Sequence, residues 1–420
     1  MRLTIALFLS GLLTADSTAE RNQHWLDDLH FFAAKFAARG TGVDFKRGIS
    51  SNGQKDLAKL YPNFDKDLAA IEADVPKVSD SEIVLRLMKL VAGANVAHNE
   101  VYLPLSQGFF ERLPLTFSWH PDGLQVTGAS ADHEQAQGAR VLKIGSKTPQ
   151  ETLAELAPYI GHENDAWLRQ RSVGLLRTRA VLTHLGVASA DGSVPFTLEK
   201  PGGAPFVLTL PTVAPKTQKI LNMTEALHIP MPFYQTHPDD KYYWYEYIHD
   251  SGTLYIQYNQ CENDPKLKFS NFARQVLAAA DTNTPKRVVF DLRKNGGGDS
   301  RVIHPLASGL AARLNKIGRV YVLIGPYTFS SGVMAATDLR HDLRATLVGE
   351  PTGGKASSYG EIKLITLPNS QVKIQYTSKW FGSHQDSEPE ALVPDISAPR
   401  LINDALAGRD PVLEAAIAGK

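Results

Sequence analysis

The feature that most constrains this sequence is a strand-to-helix turn carrying two serines, within residues 319–360. The apolar run 320–324 is typical of a buried strand, and it stops at a Gly-Pro pair. Thr-Phe-Ser-Ser-Gly and a helical pattern follow, so Ser330 and Ser331 lie at the junction. A hydroxyl group there projects from a sheet edge beside the unpaired N–H groups of a helix start. The turn therefore predicts a site where backbone N–H groups can stabilise negative charge beside a serine hydroxyl group.

Two further apolar runs are predicted to end at the same edge of the sheet. Residues 345–348 lead into Gly-Glu-Pro-Thr-Gly-Gly-Lys, which delivers Lys355, and residues 287–291 lead to the triple glycine 296–298. Right-handed crossovers bring the carboxyl ends of neighbouring parallel strands together. Glycines let backbone N–H groups approach a ligand closely, and no Gly-Lys-Ser/Thr follows to favour a phosphate.

Composition excludes several functional classes. The 420 residues include 44 basic and 44 acidic ones, so the charge argues against nucleic acid or an anionic membrane as the main partner. A hydrophobic fraction of 43% supports a globular fold with a real core. The spacings typical of metal ligands or dinucleotide binding do not appear, so we expect no metal and no cofactor.

The first 19 residues are predicted to be a secretory signal peptide. Arg2 precedes an apolar run, residues 3–13, that is too short to span a bilayer, and Ser17 and Ala19 suit cleavage after Ala19. The expected location is secreted or periplasmic, with no membrane span after cleavage. The alternatives are an N-terminal core helix or an uncleaved anchor.

The single cysteine, Cys261, cannot form an intramolecular disulfide; its alternative interpretation is a catalytic thiol.

The rest of the chain divides into three parts that differ in their sequence pattern. Residues 20–110 carry helical periodicity, including a capping pattern at Ser79, and residues 111–215 show short strands with glycine turns. Within the second part, residues 138–160 partly resemble the later part of a PDZ domain; a small β-rich spacer is the alternative. Residues 240–420 alternate strands and helices. Their aromatic cluster after Lys241 fits either an apolar groove or a packed interface.

Four motifs together carry a family resemblance. DLRKNGGG from Asp291, TFSSG from Thr328, VGEPTGGK from Val348 and VPDI from Val393 resemble, in order and spacing, the motifs of tail-specific, or C-terminal processing, serine peptidases. The tricorn core protease and the interphotoreceptor retinoid-binding modules share that fold. The resemblance implies an α/β fold: a ClpP/crotonase-like ββα-type core, a helical N-terminal region and a small β-rich, PDZ-like domain.

The same resemblance implies a nucleophile and two alternative bases. In the processing peptidases the Ser precedes the Lys by the spacing found here, 355 − 330 = 25, which identifies Ser330 as nucleophile and Lys355 as a candidate base. Tricorn-type members instead use a His that follows the N-terminal helices and a Glu. Their counterparts here are His98 and Glu388, which lies 395 − 388 = 7 residues before Asp395.

The family also implies an oxyanion hole and a substrate. Its donors would be the backbone N–H groups of Gly297 or Gly298 and of Ser331. The expected function is an exported serine endopeptidase that cleaves polypeptides through an acyl-enzyme on Ser330. The alternative is a catalytically inactive binding module of the same fold, which binds a peptide or an apolar ligand.

Overall fold

A computed structural model describes residues 18–38, 61–104, 110–189, 191–211, 219–238, 240–382 and 390–419. Most of the predicted signal peptide, residues 1–17, lies outside these ranges. Within them, no helix is long and apolar enough to cross a membrane.

The described helices are α1 (Thr18–Ala38), α2 (Phe64–Asp74), α3 (Asp80–Ala92), α4 (Pro149–Leu156), α5 (Asp165–Leu175), α6 (Arg179–His184), α7 (Met223–Ala226), α8 (Phe269–Asn283), α9 (His304–Ala311), α10 (Ser331–Asp342), α11 (Ile402–Leu406) and α12 (Pro411–Ala418). The described strands are β1 (Glu100–Tyr102), β2 (Leu115–His120), β3 (Gly123–Ser130), β4 (Arg140–Ile144), β5 (Val194–Glu199), β6 (Phe206–Leu210), β7 (Ile220–Asn222), β8 (Tyr243–Ile248), β9 (Thr253–Tyr258), β10 (Arg287–Asp291), β11 (Arg319–Ile324), β12 (Thr346–Gly349), β13 (Ser358–Thr366), β14 (Lys373–Phe381) and β15 (Ile396–Ser397).

The N-terminal region has the predicted helices and also contributes to a sheet. Ser79 caps α3, because its hydroxyl oxygen accepts a hydrogen bond from the Glu82 N–H at 3.3 Å. After α3 the chain makes a turn and enters β1, which pairs with β14 of the C-terminal hairpin. This pairing places the turn that contains His98 beside the C-terminal half of the chain.

The middle of the chain forms an antiparallel sheet of order β2-β3-β4-β5-β6. Strand β7 pairs with β3, so the sheet draws in residues beyond 215. Helices α4, α5 and α6 lie in the connection between β4 and β5. The likeness of this sheet to a PDZ domain stays a prediction.

The α/β core confirms the predicted order of elements. Its sheet has the order β15-β12-β11-β10-β9-β8, in which β8 is antiparallel and the other neighbours are parallel. Asp291 at the end of β10 is in register with Leu323 near the end of β11. The turns that follow β10 and β11 therefore leave the sheet side by side, as the crossover rule predicts.

Helices cover both faces of the core sheet. On one face, α8, α9 and α10 enclose an apolar cluster around Val288, Phe290 and Val322. On the other face, α12 packs against a smaller cluster around Tyr255 and Val289. Because the parallel strands are buried on both sides, they read in the sequence as continuous apolar runs rather than alternating ones.

The aromatic cluster of β8 packs the core. Tyr243 contacts the rings of Phe269 and Phe272, with centroid distances of 5.0 and 4.6 Å. Trp244 points to the opposite face, where its ring lies 5.2 Å from that of Tyr255. These two side chains are buried in the apolar clusters and do not line a groove.

Candidate active site

Ser330 occupies the turn between β11 and α10 in an unusual backbone conformation. Its φ of 52° and ψ of −127° are rare for a residue with a side chain. The hydroxyl group of Thr328 donates to the Leu292 carbonyl oxygen at 2.9 Å, and the Phe329 N–H donates to the Asn295 carbonyl oxygen at 2.9 Å. These bonds tie the serine turn to the turn after β10, so the surrounding structure holds the strain.

The triple glycine lies directly against this serine. Gly297 has a φ of 113° and Gly298 a φ of 130°, both left-handed conformations that favour glycine. The Gly297 N–H donates to the side-chain oxygen of Asn295 at 2.9 Å. The N–H groups of Gly298 and Ser331 have no acceptor among the described residues. The Ser331 hydroxyl donates to the Gly298 carbonyl oxygen at 2.6 Å, which joins the glycine turn to the start of α10.

His98 lines the same cleft as Ser330. Its side chain is 6% exposed, and neither ring nitrogen has a hydrogen-bond partner in the described part of the chain. The ring lies against Phe329, with 4.4 Å between the centroids. Burial lowers the pKa of His98 to about 4. The imidazole is therefore neutral at pH 7 and able to accept a proton.

The cleft has a volume of about 900 Å³, and charged side chains line both of its walls. The wall near the glycine turn carries Glu262, Asp299 and Arg301. The hairpin wall carries the charged Glu361 and Lys379 as well as the apolar Ile362 and Phe381.

Lys355 lines a different cavity, of about 870 Å³, which neither Ser330 nor His98 lines. Its ammonium nitrogen lies 3.9 Å from a carboxylate oxygen of Glu390. Glu163 lines the same cavity, and burial raises the pKa of Glu163 to about 7. The structure thus brings His98 into the cleft of Ser330 and places Lys355 outside it.

Comparison with known proteins identifies the C-terminal half. Residues 305–398, which include Ser330 and Lys355, match the family model of peptidase family S41. This region is therefore similar to peptidase family S41. The prediction of a serine peptidase of the tail-specific family is therefore confirmed. Comparison with curated protein sequences gives no match.

Solved structures align with this chain at low sequence identity. Mature CPAF complexed with lactacystin aligns over 95% of this chain and 99% of its own, with 14% identity and a TM-score of 0.64. The photosystem II D1 C-terminal processing protease aligns over 95% of this chain and 99% of its own, with 13% identity and a TM-score of 0.40. The tricorn protease aligns over 96% of this chain and 37% of its own, with 12% identity and a TM-score of 0.43. The CPAF likeness shows that the fold extends beyond the region matched by the S41 family.

Two other predicted candidates have different outcomes. Glu388 lies outside the described residues. Cys261 is buried, with its sulfur 3.4 Å from the side-chain oxygen of Asn295. Burial raises the pKa of the Cys261 thiol to about 11, which keeps it protonated at neutral pH. This state does not fit the alternative interpretation of Cys261 as a catalytic thiol.

Sequence reasoning missed two residues that shape the candidate site. Asn295 binds the glycine turn through its side-chain oxygen and donates to the Tyr258 carbonyl oxygen at 2.9 Å. Trp167 on α5 lines the cleft although it lies 167 − 98 = 69 residues from His98. Asn295 directly before three glycines could have been recognised, because Asn side chains often hydrogen-bond the backbone of the turn that follows them. The sequence around Trp167 carries no such signal.

Proposed function

We propose that this chain is an exported serine endopeptidase that cleaves polypeptides through an acyl-enzyme on Ser330, with His98 as the base. The observation that carries the proposal is one cleft lined by a strained serine, a buried imidazole and two backbone N–H groups, the last three without hydrogen-bond partners among the described residues. Buried polar groups without partners are rare in folded proteins, so a set of them at one cleft favours a role in binding or reaction.

The first proposed step uses His98 as a general base. A serine hydroxyl is a weak nucleophile until a neighbouring group accepts its proton. The neutral imidazole takes the proton from the Ser330 hydroxyl as the oxygen attacks the carbonyl carbon of the scissile peptide bond. The imidazolium then gives this proton to the leaving amine, and the peptide C–N bond breaks. Water hydrolyses the resulting ester by the same sequence, which restores the Ser330 hydroxyl.

The second part of the proposal concerns the oxyanion. As Ser330 attacks, the carbonyl oxygen becomes negative, and the N–H groups of Gly298 and Ser331, which have no acceptor in the described part of the chain, can donate to it. The Gly297 N–H already donates to Asn295, which favours Gly298 as the donor from the glycine turn. The positive end of the α10 macrodipole adds to the same stabilisation. Loss of one such donor typically lowers turnover by about 100-fold to 1000-fold.

Two further roles belong to the proposal. The buried imidazolium needs a negative partner, because an unpaired charge in an apolar environment is costly. We assign that role to Glu388, the position that the family resemblance implies. Export rests on residues 1–19, whose short apolar run and small residues before the cleavage position are typical of a signal peptide.

The decisive experiment compares the two neighbouring serines. Ser330→Ala removes the proposed nucleophile, whereas Ser331→Ala removes a hydroxyl that binds the Gly298 carbonyl oxygen and keeps its backbone N–H. With an unfolded protein as substrate, we expect Ser330→Ala to lower kcat at least about 1000-fold. We expect Ser331→Ala to keep most of the activity. Equal cleavage by Ser330→Ala and the parent would end the proposal.

Covalent labelling distinguishes the proposal from the inactive binding module. A fluorophosphonate reagent should modify the parent enzyme at Ser330, and peptide mapping by mass spectrometry locates the adduct. The Ser330→Ala variant should not react there. A folded parent protein that cleaves no peptide library and takes up no reagent would favour the binding module.

A further inference from the structure

Trp167 lies between the two loops that carry the proposed catalytic groups. It belongs to the first turn of α5, where its backbone N–H donates to the side-chain oxygen of Asn164 at 2.9 Å. Its side chain is 6% exposed and forms a small apolar cluster with Ala97 and Phe329. These two neighbours directly precede His98 and Ser330 in the chain.

Three aromatic rings are layered in this cluster. The indole of Trp167 stacks on Phe329, with centroids 3.8 Å apart and an angle of 5° between the ring planes. The Phe329 ring in turn contacts the His98 imidazole at 4.4 Å. The indole N–H also donates to the Ala97 carbonyl oxygen at 3.3 Å. The Trp167 side chain thus contacts both Ala97, directly before His98, and Phe329, directly before Ser330.

The helix that carries Trp167 is itself fixed to the core. The side-chain amide of Asn164 donates to the carbonyl oxygens of Thr352 and Gly353, both at 3.2 Å, and of Glu390, at 2.8 Å. A Cβ atom at Gly353 would lie 2.7 Å from the indole, so the backbone of this loop packs directly on Trp167. The position of the indole is therefore set by contacts to the core rather than by its own helix alone.

We propose that Trp167 is a positioning residue, which holds the His98 loop against the Ser330 turn and keeps water away from the imidazole. This inference rests on the proposed function. Within the described ranges the His98 side chain forms no hydrogen bond, and its ring is held there by packing on Phe329. Its loop is held by the Trp167 contact and by the Gln375 side-chain amide, which donates to the His98 carbonyl oxygen at 2.7 Å.

Loss of the indole has two expected consequences at His98. The base becomes less well aligned with the Ser330 hydroxyl, and a misplacement of about 1 Å can cost about 100-fold in rate. Water also reaches the ring, so the pKa of His98 rises from about 4 towards its ordinary value. The charged groups around the loop are the Glu100–Arg171 ion pair on the cleft wall and Glu163 behind Ala97.

The test compares Trp167→Phe and Trp167→Ala with matched variants of Trp244. Trp244 is also 6% exposed and also packs against aromatic rings, those of Phe233 and Tyr255, but it does not line the cleft. Each variant is assayed for its thermal unfolding midpoint, kcat, KM and pH profile. An NMR titration of histidine-labelled protein, assigned with His98→Gln, measures the pKa of His98 without relying on activity.

We expect Trp167→Ala to lower kcat about 100-fold with a smaller change in KM. The pKa of His98 and the acid limb of the kcat/KM profile should both rise by about 1 to 2 pH units. Trp167→Phe keeps a ring but loses the indole N–H, and we expect about a 10-fold loss of kcat. The Trp244 variants should lower the unfolding midpoint and leave the titration of His98 unchanged.

The proposal is overturned if both Trp167 variants keep the parent kcat and the parent titration of His98. It is also overturned if the Trp244 variants change that titration by as much as the Trp167 variants. Should Trp167→Ala fail to fold, Trp167→Phe and its titration decide the question. If Ser330→Ala stays active, the proposed function fails, while the titration still tests the contact between Trp167 and the His98 loop.

Discussion

Gly297 approaches Ser330 so closely that a Cβ atom at position 297 would lie 2.7 Å from the Ser330 Cβ and 3.1 Å from its hydroxyl oxygen. The two residues come from turns after neighbouring parallel strands, β10 and β11. Contacts under 3 Å between carbon atoms do not persist, so any side chain at position 297 must displace the serine. The glycine turn therefore fixes the position of the serine as well as placing N–H groups beside it.

Gly297→Ala should lower kcat by at least about 100-fold, because it displaces Ser330 and strains a backbone with a φ of 113°. The matched control is Gly296→Ala, whose Cβ would meet the Tyr327 ring at 3.3 Å and leave Ser330 untouched. Steady-state kinetics and fluorophosphonate labelling measure the effect. A Gly297→Ala variant that matched Gly296→Ala in both assays would contradict this account of the turn.

The choice of base is tested by His98→Gln and Lys355→Met. The structure places His98 in the cleft of Ser330 and Lys355 in the other cavity, near Glu390. We expect His98→Gln to lower kcat by about 100-fold to 10,000-fold, the usual range for a general base. We expect Lys355→Met to change kcat by less than about 10-fold. The opposite order in single-turnover cleavage would make Lys355 the base.

Burial of His98 should make the stability of the fold depend on pH in a defined window. Because the pKa of His98 falls from its ordinary 6.5 to about 4 on folding, the unfolded chain binds more protons between these values. The free energy of unfolding therefore rises with pH from about 4 to 6.5, and the His98 contribution to this rise is about 3 kcal/mol. Denaturant unfolding at several pH values measures it. His98→Gln should flatten the curve, and an unchanged slope would show that His98 does not titrate in this way.

The order of elements was predictable because each signal was local. The apolar runs of β10, β11 and β12 identified buried strands, and the glycines and serines after them marked the turns. The crossover rule then placed the triple glycine beside Ser330 without any three-dimensional information. Motif spacing singled out Ser330 as the candidate nucleophile, and the contacts that support its turn lie within one sheet edge.

The placement of the two candidate bases was not predictable, because it depends on contacts between distant parts of the chain. Lys355 follows a strand of the core, yet the loop after β12 places it in a cavity that Ser330 does not line. His98 reaches the cleft because β1 pairs with β14, which is 375 − 100 = 275 residues away at one register position. Pairing between such distant strands is set by the packing of the whole fold rather than by local sequence.

The last prediction concerns the buried charges beneath the glycine turn. The Arg293 guanidinium donates to both carboxylate oxygens of Asp410, at 2.7 and 2.8 Å, and also binds Asp291 at the end of β10. Burial opposes ionisation of Asp410, but the charge and hydrogen bonds of Arg293 outweigh it and lower the pKa of Asp410. The ionised pair thus connects α12 to the strand that leads into the glycine turn.

Asp410→Asn should lower the free energy of unfolding by about 3 kcal/mol at pH 7, because it leaves part of a buried guanidinium charge unpaired. Since the folded pKa of Asp410 is lowered, its contribution is complete above about pH 4 and is lost as the pH falls through the folded pKa. The difference between variant and parent should therefore shrink in acid. The control is Asp281→Asn, which breaks the exposed pair with Arg313 and should have little effect. Equal unfolding free energies for the two variants at pH 7 would contradict a structural role for the buried pair.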